Sequence, residues 1–390
     1  MWENERRELV GLSNRFQLRE LSNVSEASNA WLKIKGCSML NLASNNYLGL
    51  AGDPRLKEAA IQAIQDEGVG STASRLIVGN HPLYQKAEQA LIRWKGAEAG
   101  LILQNGYMAN VGIISSLVNQ HSVVFSDKLN HASIVDGIRL SQAEHRRYRH
   151  LDLNHLESLL KKTPKQKRKL IVTDSVFSMD GDIAHFERLV QLKEEYQAIL
   201  MVDEAHSSGI FGAQGQGLVN QFRIEDQVDI QMGTFSKALG SYGAYVVGKK
   251  VFIDYLVNKM RPFIFSTALP PGVLGPIIAA IKIVQEEQER RTKLLQMAQQ
   301  FRRDLEECGF HLCGSQSQIV PILIGTNEKT LSFSYSLQQE GIAAIAIRPP
   351  TVPENQARIR FTLTAVHNQN DLDWAIQKIK TVGYKLGVIS

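Results

Sequence analysis

Short apolar runs alternate with amphipathic stretches through the middle of the chain. The runs are AGLIL (99–103), SVVFSD (122–127), KLIVTD (169–174), AILMVDEAH (198–206), VDIQMG (228–233) and AYVVG (244–248), with helical patterns such as MANVGIISSLV and ERLVQLKEEYQ between them. Near-continuous apolar strands separated by helices predict a mostly parallel sheet covered on both faces. The expected class is α/β. In sheets of this kind ligands gather at the carboxyl ends of the strands.

The flanks read differently. Residues 1–45 are polar and irregular and are expected to form an arm containing one hairpin-like pair, AWLKIKG with MLNLAS. From Asp53 a helix is expected, with Asp53 as its cap and Pro54 at the first helical position, and a second such start follows at Asn80. Beyond FIFSTALPP a long helix is expected over 272–308, then strands at QIVPILIG, IAAIAIR and ARIRFTLT and a last helix through DLDWAIQKIKTV. The predicted organisation is therefore an arm (1–45), a large domain (46–270) and a smaller C-terminal α+β domain (271–390), within a length prior of about two or three domains.

Composition excludes several classes. Of the 390 residues, 44% are hydrophobic and 21% charged, as in a soluble globular protein, and the net charge of +5 points to neither nucleic acid nor membrane. The stretch GVLGPIIAAIKIV is interrupted by Lys282 and is too short to span a bilayer. The opening MWENERRELV is unlike a secretory signal, and three cysteines without metal-ligand spacing suit a reducing compartment. A cytoplasmic protein without a bound metal is expected.

Within GTFSKALGSYG, Lys237 follows a strand and is the one charge among small and apolar neighbours. Alone, it reads as a solvated turn lysine. Asp203, however, closes the apolar strand AILMVD on the rim where ligands bind, and His206 follows three residues later. By themselves those two could equally be a structural cap or half a metal site. Together with the lysine they suit pyridoxal phosphate, whose aldehyde a lysine amine captures and whose ring nitrogen an aspartate keeps protonated.

An anion site is expected where QNGYMANVGII turns from strand to helix, with Gly106 and Tyr107 at a helix N-terminus and Thr234 and Ser236 as hydroxyl donors. An ordinary strand–helix turn explains Gly106 and Tyr107 as well. No GxGxxG or GxxxxGK[ST] occurs, and GAQGQG has the wrong spacing. His131, just past SVVFSD, is either an idle helix-start residue or a flat ring for stacking. Arg358 and Arg360 alternate in ARIRFTLT; one is expected to read a carboxylate and the other to face solvent. KKTPKQKRK (161–169) reads as a solvated connection.

The segments SNNYLGL, GVGSTASR, GNHPLYQKAEQAL, NHASIVDG, VFSMDGD, MVDEAHSSGIFG, GTFSKALGSYG, FIFSTALPP and AIRPPTVPENQARIRFTLTA, in that order, resemble the α-oxoamine synthases. These are fold-type I pyridoxal-phosphate transferases, and the resemblance covers roughly residues 15–385. It departs at Ala73 and Ala244, where many relatives carry glycine.

The resemblance implies Lys237 as the lysine holding the cofactor's aldehyde, and Asp203 as partner of its ring nitrogen. It implies His131 stacked on the ring, and Ser178 and His206 near the phenolic oxygen. Gly106, Tyr107 and Thr234 fall at phosphate positions, with Ser266 and Thr267 serving the phosphate of a second subunit in a homodimer. Arg360 matches the residue that holds an amino-acid carboxylate, and Arg19 and Thr351 fall at substrate positions. The activity implied is that of the member of biotin synthesis that condenses L-alanine with pimeloyl-CoA or pimeloyl carrier protein. A sister acyltransferase using glycine, or a regulatory binding protein on the same fold, are the alternatives.

Overall fold

The computed structural model describes residues 1–390, which fall into two compact units. One comprises Leu50–Phe177 with Ile183–Arg291; the other comprises Met1–Gly49, Ser178–Asp182 and Thr292–Ser390.

The first unit is built on a seven-stranded sheet. Its order is Ala99–Leu103, Ala244–Gly248, Ile230–Thr234, Ile199–Asp203, Arg168–Asp174, Ser122–Asp127, Glu144–Tyr148. The last five in that order run parallel to one another, while Ala244–Gly248 is antiparallel to both of its neighbours. Register then fixes the rim: Asp174 lies opposite Asp203, and Leu103 and Thr234 both pair with Ala244. Six of the strands thus end on one side of the sheet.

The helices Gly106–Leu117 and Ala132–Ser141 seal a face of this sheet with Ala109, Ile113, Leu117, Ile134 and Ile138, which join Val124, Val172 and Met201 in one core. Burying each large aliphatic side chain contributes roughly 1.5–3 kcal/mol. Asp53 accepts the Arg55 N–H at 3.0 Å at the start of the helix Pro54–Glu67, as its sequence predicts.

Several features were not legible as expected. Glu144–Tyr148 (EHRRY) is a strand despite its polarity, because it pairs on one side only and an edge strand tolerates charge. The arm contains a helix, Glu3–Asn14. The stretch expected as one helix over 272–308 is two, Pro271–Glu286 and Gln288–Glu307, with Glu287 out of helical geometry between them (ψ 67°). The division between units falls after Arg291 rather than near 270. The reason is packing: Pro271–Glu286 lies so close on Pro54–Glu67 that a Cβ added at Gly275 would sit 2.4 Å from the Ala59 carbonyl oxygen.

The second unit contains a four-stranded sheet in the order Val24–Ser25, Trp31–Ile34, Cys37–Asn41, Ile342–Ala343, and a three-stranded antiparallel sheet in the order Ile319–Gly325, Ala357–Thr362, Ala346–Ile347. The expected IAAIAIR strand is therefore shared between two sheets. Helices Asn327–Gln339 and Gln369–Lys385 accompany them. No helix of the chain is long and apolar enough to cross a membrane.

His367 ties this unit's strands together. Its Nε2 faces the Asn41 carbonyl at 3.2 Å, and its Nδ1 accepts the Thr364 N–H at 3.2 Å, so the ring must be neutral. Burial pulls its pKa down to about 4 against the pull of the Asn41 carbonyl and Asp371, with Lys293 adding to the fall. The unfolded chain takes up this proton near 6.5 and the folded chain near 4, so stability falls as pH drops through that window. The full effect is roughly 3 kcal/mol. His367→Gln is expected to flatten the decline of the thermal midpoint between pH 7 and pH 4 relative to wild type, measured by circular dichroism.

Candidate active site

Lys237 is carried on the turn between the antiparallel strands Ile230–Thr234 and Ala244–Gly248. Backbone bonds from Phe235 N to Gly243 O (3.0 Å) and from Ser241 N to Phe235 O (2.9 Å) close the turn. Gly240 adopts φ +63°, and a Cβ there would lie 2.3 Å from the Ala51 nitrogen, so the glycine is required. The turn holds Lys237 half-buried with Nζ 3.0 Å from His206 Nε2.

Asp203 is 5% exposed at the end of its strand. Its Oδ1 accepts the Ala205 N–H and its Oδ2 the Asn110 side-chain amide, both at 2.8 Å. The same Asn110 amide donates to Ser133 Oγ at 2.9 Å, and Ser133 Oγ lies 2.7 Å from His131 Nδ1. A continuous polar chain thus links His131 to Asp203. His131 caps the helix Ala132–Ser141, accepting the Ser133 N–H at Nδ1 (3.3 Å), and its own N–H donates to Asp174 Oδ2 at 2.8 Å. Burial lowers the His131 pKa, with Lys237 adding to the fall and Asp203 opposing it, so the ring is neutral with its hydrogen on Nε2.

Gly106 begins the helix Gly106–Leu117, whose cap Asn105 accepts the Met108 N–H at 2.9 Å. The N–H groups of Gly106 and Tyr107, first in that helix, find no acceptor within it, as helix geometry dictates. A Cβ added at Gly106 would come 4.0 Å from Thr234 Cβ, which puts Thr234 beside this helix start. Thr234 Oγ1 bonds the Gly243 carbonyl (2.7 Å) and Ser236 Oγ (2.6 Å). The Tyr107 ring stands edge-on to His131 with centroids 6.4 Å apart, and its hydroxyl bonds Asp136. Ser266 is half-buried and Thr267 exposed; the Thr267 carbonyl accepts from Gln104, two residues before Gly106 (3.3 Å).

The remaining predicted residues lie in the second unit. Arg360 is 8% exposed: Nε donates to the Ser178 carbonyl (2.5 Å), Nη1 to Asn45 Oδ1 (3.1 Å) and Nη2 to Tyr47 Oη (3.2 Å). Arg19 donates to the Pro349 carbonyl at 3.2 Å, which brings it to the loop bearing the exposed Thr351. Arg358 corrects an expectation. It is 1% exposed rather than solvent-facing, because residues two apart on a strand share one face, and Ala357–Thr362 is the buried middle strand of its sheet.

A sequence profile described as "Aminotransferase class I and II" matches residues 38–379. A Bacillus cereus protein named "Putative 8-amino-7-oxononanoate synthase" is 57% identical over 380 residues, 97% of this chain and 96% of that one. A Bacillus anthracis protein of the same name is 58% identical over 95% and 94%. Among solved structures, Sphingomonas wittichii serine palmitoyltransferase has a TM-score of 0.94 at 28% identity, covering 100% of this chain and 98% of that one. An SPT structure with its PLP internal aldimine has a TM-score of 0.93 at 30% identity over 100% and 98%. The 8-amino-7-oxononanoate synthase of Francisella tularensis has a TM-score of 0.77 at 29% identity over 88% and 98%.

The chain belongs to the α-oxoamine synthases, within the class I and II aminotransferase family. It is an enzyme with the fold-type I architecture its motifs predict.

Sequence reading missed two polar residues of this α-oxoamine synthase's rim. Asn110 sits one helical turn beyond Gly106, so its spacing carried the signal. Asp174 ends KLIVTD as Asp203 ends AILMVD, and only the register shows that the two carboxyl groups are neighbours. Burial, then the Asp203 charge, raise the Asp174 pKa well above the carboxylate range. A raised folded pKa means stability is present at low pH and is lost as pH rises through it. Asp174→Asn removes that titration, so the cofactor-free variant is expected to melt above wild type at pH 8, with the gain vanishing towards pH 4. Scanning calorimetry across that range checks it.

Proposed function

We propose that this enzyme condenses L-alanine with a pimeloyl thioester, releasing carbon dioxide and free thiol and forming 8-amino-7-oxononanoate. The observation that carries the reading is the match, over 97% of the chain, to relatives bearing that activity in their names. The polar rim described above supports it.

The cofactor is pyridoxal 5′-phosphate. The residues present fit it: two helix-start N–H groups beside Thr234 suit a phosphate, and Lys237 lies on the rim that bears Asp203. Asp203 takes its bonds from an amide and a backbone N–H rather than from a cation, which leaves its charge for a protonated ring nitrogen. When bound, pyridoxal phosphate supplies an aldehyde that captures an amine and a ring that takes up electrons released at the amino acid's α-carbon.

The chain's own residues do the rest. Gly106, Tyr107 and Thr234 would hold the phosphate; His131, neutral, would offer a flat face to the ring; Ser178 and His206 would serve its phenolic oxygen. Lys237 would hold the cofactor through its aldehyde, and its free amine would be the base that takes the α-proton. Arg360 binds the carboxylate, orienting the α-carbon, and Arg19 and Thr351 contact the acyl substrate. The protein would work as a homodimer, in which Ser266 and Thr267 reach the phosphate of the second copy. Val69, Leu76, Ile77, Val78 and Phe265 are exposed large apolar side chains, 49–78% accessible, of the kind that mark an interface. We place the enzyme in the cytoplasm, in keeping with its three free cysteines.

Mass spectrometry of the product from alanine and pimeloyl-CoA is the test, with glycine and serine as competing substrates. Wild type is expected to yield 8-amino-7-oxononanoate with alanine. Lys237→Ala is expected to lose at least a thousand-fold in rate and to carry no pyridoxyl group at position 237 after borohydride reduction. Product from glycine or serine alone would overturn the substrate assignment.

A further inference from the structure

The chain leaves the first unit at Phe177 and returns at Ile183; the five residues between, Ser178–Asp182, pack with the second unit. A β-bridge between Val176 and Ile183 closes the neck of this excursion. Within the second unit, two arginines two residues apart on the strand Ala357–Thr362 grip it.

Their partners differ in kind. Arg358 Nη1 meets Asp180 Oδ1 at 2.6 Å and the Met179 carbonyl at 3.3 Å, while Nε and Nη2 bond the carbonyl and side chain of Gln356 (3.1 and 3.4 Å). The side chains of the ion pair are 2% and 13% exposed. Arg360 reaches the same segment through the Ser178 carbonyl, and its other partners are the neutral Asn45 and Tyr47. Those bonds use three of the five N–H groups of a guanidinium. Arg358 is thus neutralised by a carboxylate, whereas Arg360 keeps its charge and two donors for one that arrives.

The segment has no slack. Gly181 adopts φ +75°, a Cβ there would lie 2.4 Å from the Ile319 carbonyl oxygen, and its own carbonyl accepts the Gln316 N–H at 2.9 Å. Displacing Asp180 would therefore displace Ser178, whose carbonyl is one of the three acceptors that set the plane of the Arg360 fork.

We propose that Asp180 and Arg358 are positioning residues for amino-acid binding: their ion pair pins Ser178–Asp182 so that the Ser178 carbonyl aligns the Arg360 guanidinium for the substrate carboxylate. The inference rests on the reading of Arg360 given above. It assigns neither residue a contact with substrate. A pinning role predicts selective damage, because a bidentate fork loses its match to a carboxylate on small rotations.

The test begins with wild-type holoenzyme titrated with L-alanine, glycine and L-serine, followed by the cofactor's absorbance. A response identifies the amino acid; silence with all three overturns the functional reading and this inference with it. The same titration on D180N is then expected to show at least ten-fold weaker amino-acid binding, with the thioester KM within two-fold of wild type. In the cofactor-free variant, hydrogen exchange of the amides at 178–182 is expected to rise at least ten-fold. R358K, which keeps the charge but lacks the Nε and Nη2 donors that Gln356 holds and so leaves the cation unanchored beside Asp180, is expected to show the same selective loss and serves if D180N does not fold. Wild-type amino-acid affinity in a folded D180N or R358K overturns the proposal. So does an equal loss of amino-acid, thioester and cofactor binding, which marks a general structural role.

Discussion

The structure depends on one register: Asp174 opposite Asp203 at the ends of adjacent parallel strands. Carboxyl groups out of water are costly unless hydrogen-bonded or neutralised. Here the two solve the problem differently. Asp203 accepts from Asn110 and Ala205, while Asp174 accepts the His131 N–H and holds its proton more tightly than an ordinary carboxyl group. The same contacts place the His131 ring, so the arrangement that makes the charges tolerable also builds the site. A rim with this concentration of polar groups trades stability for function.

Behind the rim lies a second buried ionic group. Lys95, ending the helix Pro82–Lys95, bonds Glu204 and the Gln216 carbonyl, and Glu204 also accepts the Val219 N–H at 3.0 Å. Both ionic side chains are almost wholly out of solvent. Removing either partner would strand a charge, at a cost of about 3–5 kcal/mol. Glu204 follows Asp203 directly, so this pair anchors the backbone on which Asp203 and His206 stand.

The second unit shows how partner chemistry divides labour between two identical side chains. Arg358 and Arg360 share a strand, a face and near-complete burial. Only the nature of the groups around them separates a spent charge from an available one. An arginine surrounded by neutral acceptors is oriented without being neutralised, which suits the carboxylate-binding role proposed for Arg360.

Much of this was open to the sequence. Apolar runs of strand length named six of the seven strands of the large sheet, because burial on both faces forces their composition. The strand EHRRY escaped because an edge needs no such composition. Asp53 and Pro54 announced their helix, since a cap and a fixed φ are local physics. Lys237, Asp203, His206 and His131 could be singled out from their places at strand ends, because a parallel sheet collects its strand ends on one side. The sequence could not say that Asn110 would bridge His131 to Asp203, that Asp174 would face Asp203, or that Arg358 would be buried against Asp180. Each depends on which strands become neighbours and in what register, and pairing is decided by contacts between segments far apart in the chain rather than by the residues of any one segment.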